Sequence, residues 1–173
     1  ASEWTIAGDN ASVSLVLRDD VTFHSGTPFT AEALTATLEK ATDPQRGKNV
    51  FSTMSIVQDW TVDGPHALTI NFKSPVPDRQ ITDLLQFLLP IDPGTMDTLE
   101  TVEGGTGAFM LGERKVGQSV KLVRNPNYWR ENQPILDEID FTIFSEDAAA
   151  ASALESGSVD VIYGGQSRSG VRL

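Results

Sequence analysis

The chain has 173 residues, 39% hydrophobic and 21% charged, and its 24 acidic against 13 basic side chains leave a formal charge of −11. That length suits one ordinary domain or two small subdomains sharing a core, and the acidic balance argues against nucleic acid, whose phosphates need clustered Lys and Arg. No apolar run reaches the ~18 residues of a membrane span, and without cysteine there are neither disulfides nor thiolate metal sites, which leaves the redox compartment open.

In chain order, "EWTIA" and "SVSLVLR" read as two strands joined by the turn "GDN". Val13, Leu15 and Leu17 face one way, while Ser14, Val16 and Arg18 face the other, as in a half-buried strand. Asp19-Asp20 ends the ladder, Ser25-Gly26 supplies a tight turn, and Pro28 fixes the approach to a helix. Thr30 is placed as its N-cap, Ala31, Leu34, Leu38 and Ala41 form its apolar face, and Asp43-Pro44 stops it. A hairpin follows, "VQDWTV" and "ALTINF" around Asp63-Gly64-Pro65, with Leu68, Ile70 and Phe72 alternating against Thr69, Asn71 and Lys73. "DRQITDLLQFLL" reads as a helix with Ile81, Leu84, Leu85 and Leu88 on one side. Pro90 and Pro93 then stiffen a crossing between two subdomains, residues 1–90 and 91–173.

In the second half "GGTGAFML" opens two strands, "AFMLGER" and "SVKLVRN", joined at Gly117 and followed by the loop "NPNYWRENQP". Ile139, Phe141 and Ile143 mark another alternating strand. "SEDAAAASALESG" reads as a helix capped by Ser145, with Glu146 and Asp147 in its first turn and Gly157 at C′. A last strand, "SVDVIYGG", is expected after it. Hairpins alternating with packed helices point to a mixed α/β fold, not an all-parallel sheet. Ala1 to Asn10 has neither the basic n-region nor the apolar h-region of a signal peptide, and "GGQSRSGVRL" contains no recognisable terminal element, which reads as truncation.

Candidate chemistry is sparse. "GGTG", Gly104 to Gly107, has the glycines of a phosphate cradle, but a strand follows it and no Lys is in register, which favours a strand-entry turn. His24 and His66 lack metal-ligand spacing, and His24 reads as a hydrogen-bonding turn residue. There is no GxSxG, and neither His stands in a Ser/His/Asp context, so no catalytic residue, metal site or cofactor is assigned. An acidic general acid/base pair stays open, because nothing marks two carboxylates among the 24 acidic side chains. Asn10-Ala11-Ser12 fits the N-glycosylation triplet, a frequent chance pattern. Tyr128 and Trp129 in "NPNYWR" could stack on a ligand, but an aromatic pair beside Asn and Pro more often pins its loop to a sheet.

Two blocks nevertheless carry a resemblance. "LRDDVTFHSGTPFTAEAL" and "GTGAFML…KLVRNPNYWRENQPILDEIDFTIFSEDAAAASALESGSVDVI" resemble, in order and spacing, signatures of the extracellular solute-binding proteins of peptide and nickel ABC importers. The resemblance covers nearly the whole chain. It implies part of a type II periplasmic-binding-protein-like lobe: a smaller subdomain over residues 1–90 and a main subdomain over 91–173, without the second lobe that closes like a hinged clamp. It implies a non-enzymatic binding component outside the membrane, periplasmic or extracellular. Such a component takes a peptide or other small solute, partners the permease, and meets the membrane only through it.

In peptide-binding members the strand after Gly-x-Val-Asp ends at the cleft, where backbone pairs with an extended peptide. By position that end matches Val161, Ile162, Tyr163, Gly164 and Gly165, and the glycines allow close backbone approach. The resemblance assigns His24, Gly26-Thr27-Pro28 and Trp129 to structural roles. Two other readings stand beside it: a hydrolase domain using acidic residues, and a structural fragment without ligand affinity of its own.

Overall fold

The computed structural model describes residues 1–47, 50–98 and 104–163. Two compact units emerge: Ala1–Met110 with Arg124–Asp137, and Leu111–Val123 with the described residues from Glu138 onward.

The first unit is built on β1 (Glu3–Ile6), β2 (Ser12–Val16), β3 (Val57–Gly64) and β4 (Ala67–Phe72), in the order β1-β2-β4-β3. Every neighbouring pair is antiparallel, and β2 finds its second partner in β4, with Val13 opposite Ile70 and Leu15 opposite Leu68. Alternation puts those four side chains on one face, where each is at most 4% exposed. Ser14 and Thr69 stand on the other face and hydrogen-bond to each other across 3.0 Å. The β3–β4 turn is tighter than the sequence suggests. Gly64 already pairs with Ala67, so Pro65 and His66 alone make the loop.

Helix α1 (Ala31–Thr42) lies where the periodicity predicts, and Thr30 Oγ1 accepts from the Ala33 N–H at 3.2 Å. Its buried face is Ala31, Ala33, Leu34, Thr37, Leu38 and Ala41. Thr37 interrupts the apolar stripe for a reason: its hydroxyl accepts from the Ile91 N–H at 3.0 Å, which would otherwise lack a partner near the core. Thr30→Ala is expected to lower unfolding free energy by about 1 kcal/mol. A urea titration that superposes on the parent would show that the cap contributes nothing.

After α1 the chain turns sharply. The Asp43 carboxylate accepts from the Gln45 and Arg46 N–H groups, and its carbonyl accepts from the Gly47 N–H. A four-residue helix, α2 (Phe51–Met54), follows and buries Met54 completely. Helix α3 (Asp78–Phe87) buries Ile81 and Leu84 in the same cluster as Leu38, Leu68 and Ile70, with Leu85 partly buried against it. Each such side chain contributes ~1.5–3 kcal/mol relative to exposure.

The second unit contains most of a three-stranded sheet in the order β5-β6-β7: β5 (Phe109–Lys115), β6 (Ser119–Arg124) and β7 (Glu138–Thr142). The β5–β6 turn uses Gly117 at φ +72°. Lys121 pairs with Glu138 and Asp140 on one face of the β6–β7 ladder, and Val120 and Leu122 stand opposite Phe141 and Ile139 on the other. Helix α4 (Asp147–Glu155) begins one residue later than its sequence implies, with Glu146, not Ser145, at the cap. Gly157 at φ +72° ends it as expected.

The strand expected from Ser158 does not form over residues 158–163. Apolar alternation only permits a strand; a ladder needs a partner with free N–H and C=O groups, and Val161 and Tyr163 are instead 78% and 97% exposed.

Candidate functional site

The segment "FHSGTP" begins as a β-turn problem. Phe23 N–H donates to the Thr27 carbonyl and Phe29 N–H to that of Val21, so the chain doubles back within six residues. Gly26 sits at φ +88°, a conformation that costs a side-chain-bearing residue and costs glycine little. This turn presents His24 and Ser25 to a second segment. His24 N–H donates to the Gly105 carbonyl at 2.9 Å, and its Nε2 hydrogen-bonds to the Gly107 carbonyl at 2.9 Å. Ser25 Oγ donates to Asp92 Oδ2.

Asp92 is the centre of this polar knot. It is 2% exposed, its Oδ1 accepts from the Gly94 N–H at 2.9 Å, and its own N–H donates to the Gly104 carbonyl at 2.8 Å. Asn125, also buried, adds its Nδ2 to the Gly107 carbonyl at 3.0 Å, while its Oδ1 accepts from the Asn127 N–H. Four sequence motifs therefore meet at one place: the His-Ser-Gly-Thr-Pro turn, Ile-Asp-Pro-Gly, Gly-Gly-Thr-Gly and Asn-Pro. In the glycine segment the carbonyls of Gly104, Gly105 and Gly107 are taken by donors from the other motifs. A phosphate cradle requires the opposite polarity, converging N–H groups. The knot holds chain segments together.

Its strength can be measured. In Asp92→Ala the Gly94 N–H and the Ser25 hydroxyl lose a shared buried acceptor, and stability is expected to fall by about 2–3 kcal/mol. Asp92→Asn keeps a carbonyl oxygen for Gly94 and should lose clearly less. The three tryptophans, Trp4, Trp60 and Trp129, all belong to the first unit, so their fluorescence in urea follows its unfolding. Equal stability of parent and Asp92→Ala would refute a structural knot.

Beside it lies a groove of about 510 Å³, lined mainly by Trp4, Leu15, Leu17, Leu85, Leu88 and Trp129. Trp129 packs against the hydrophobic core, with the Arg18 and Arg130 guanidinium groups 4.7 and 4.6 Å from its ring centroid and Tyr128 at 5.3 Å. Arg18 is fixed from the other side by two hydrogen bonds to the Asp20 carboxylate. Those bonds hold the Asp20 carboxyl below its ordinary range and the guanidinium above its own. Trp129 is thus the loop anchor expected from "NPNYWR". The groove itself was not legible, because Trp4, Arg18 and Leu85 converge on it from three separate segments of the chain.

Asn10 and His66 serve other contacts in the first unit. Asn10, at φ +57°, spends its Nδ2 on the Val76 carbonyl and the Asp78 carboxylate, pinning the β1–β2 turn to the start of α3. His66 contributes its carbonyl to the Leu17 N–H. Ile162 is 37% and Tyr163 97% exposed in the second unit, while Gly164 and Gly165 lie outside the described residues. Among the described residues no group of three or more His, Asp or Glu is arranged to hold a metal ion. Sequence reasoning missed Asp92 and underused Asn125. Asp before Pro-Gly and Asn before Pro are both Asx-turn signals, and they pointed to these side chains.

Known proteins resemble this chain as a whole. A nickel-binding periplasmic protein of Escherichia coli K12 is 31% identical over 172 residues, which cover 96% of this chain and 33% of that protein. A probable D,D-dipeptide-binding periplasmic protein of the same organism, DdpA, is 27% identical over 93% of this chain and 32% of its own length. Among solved structures, the binding protein MoaA from A. tumefaciens R10, in complex with mannopinic acid, superposes with a TM-score of 0.84 at 27% identity. That superposition covers 92% of this chain and 33% of the other. The chain thus spans about a third of the length of the curated relatives it matches. The family of bacterial extracellular solute-binding proteins, family 5 Middle, matches residues 1–169, and the chain belongs to it.

Proposed function

We propose that the chain is part of the substrate-binding component of an ABC importer, which captures oligopeptides or similar small solutes outside the membrane and delivers them to the permease. The observation that carries this reading is the family match over residues 1–169. The names of the relatives, nickel-binding and D,D-dipeptide-binding periplasmic proteins, support a periplasmic or extracellular setting and a binding role without chemistry. Within such a lobe, residues 1–90 would belong to the smaller subdomain and 91–173 to the main one. The ligand would meet Ile162, Tyr163, Gly164 and Gly165, and what supports this is the exposure of Ile162 and Tyr163 in the second unit. An extended peptide there would pair backbone to backbone, which is tolerant of side-chain identity.

One lobe presents a peptide with an open surface, where each hydrogen bond competes with water and contributes only ~0.5–1.5 kcal/mol. Ordering the peptide costs about 0.5–1.5 kcal/mol per immobilised long side chain. Amide chemical-shift titration of this chain with mixed tri- to pentapeptides is therefore expected to give millimolar or weaker dissociation constants, about 4 kcal/mol or less. The shifts should centre on Ile162 to Gly165. Micromolar affinity, or shifts confined to the Trp4–Trp129 groove, would overturn the assignment of the ligand-facing residues.

A further inference from the structure

We draw no further inference here: the strongest candidate, the apolar groove of the first compact unit between Trp4, Leu85, Leu88 and Trp129, carries nothing because nothing in the structure shows what covers it.

Discussion

Phe23→Ala is expected to lower the unfolding free energy of the first unit by about 3–5 kcal/mol, a large share of the ~5–15 kcal/mol available to a typical domain. Phe23 is 2% exposed and meets Phe29 edge to face, centroids 5.8 Å apart at 89°. Two losses add: the ring's transfer out of water, and the contacts missing around a cavity that neighbours cannot close. Here they cannot close in easily. The backbone on either side is tied by the Phe23–Thr27 and Phe29–Val21 hydrogen bonds and by the bridge between Thr22 and Pro28. The aromatic pairing adds ~0.5–1.5 kcal/mol beyond buried area. Urea melts followed by tryptophan fluorescence should show a lower midpoint at unchanged slope, with Phe23→Leu recovering much of the loss. A cost below about 1 kcal/mol would mean that the loop collapses onto the vacated volume in spite of those ties.

Gly47→Ala is expected to destabilise by about 3 kcal/mol, at the upper end of the usual cost of overpacking. A Cβ there would collide with the Ala41 carbonyl oxygen and stand 2.9 Å from that of Asp43 and 3.0 Å from the Phe51 Cβ. These obstacles are backbone and a β-carbon, so no side chain can rotate out of the way. Loss of unfolded-state freedom works in the opposite direction, since replacing Gly by Ala commonly stabilises by ~0.4–1 kcal/mol. The clash outweighs that gain. At ~2–4 °C per kcal/mol for a chain of this size, the melting temperature should fall by about 6–12 °C. A raised melting temperature would show that the α1–α2 connection has slack which the close approach denies.

Much of the architecture was legible because it rests on local signals. The alternation of Leu68, Ile70 and Phe72, the 3–4-residue spacing of Leu34 and Leu38, the Thr30 cap and the glycine at 157 each act within a few residues. Helix α2 escaped notice because four residues carry no period, and it forms where Met54 finds a place in the core. The union of β2 with β4 was also hidden, since either strand's pattern fits several partners. Asp92 shows the same limit at the candidate site. One aspartate does not stand out in a chain with 24 acidic residues, and only the tertiary fold buries it beneath Ser25 and Gly94. The strand expected after Ser158 failed for the converse reason: alternation was present, but among the described residues no ladder forms on it.

The order β1-β2-β4-β3 sets a timetable for assembly. Hairpins β1–β2 and β3–β4 are each local and can close in ~1–10 μs. Joining them brings together positions 55 apart, Ser14 and Thr69, and the intervening chain includes the whole of α1. Until that seam closes, the apolar faces of β2 and α1 have no complete core to enter. At ~5–20 residues per second, the ribosome makes those 55 residues in roughly 3–11 s, about a million times longer than either hairpin needs. In a chain that folds as it is made, Val13, Leu15 and the stripe of α1 would stay uncovered for those seconds, until β4 emerges.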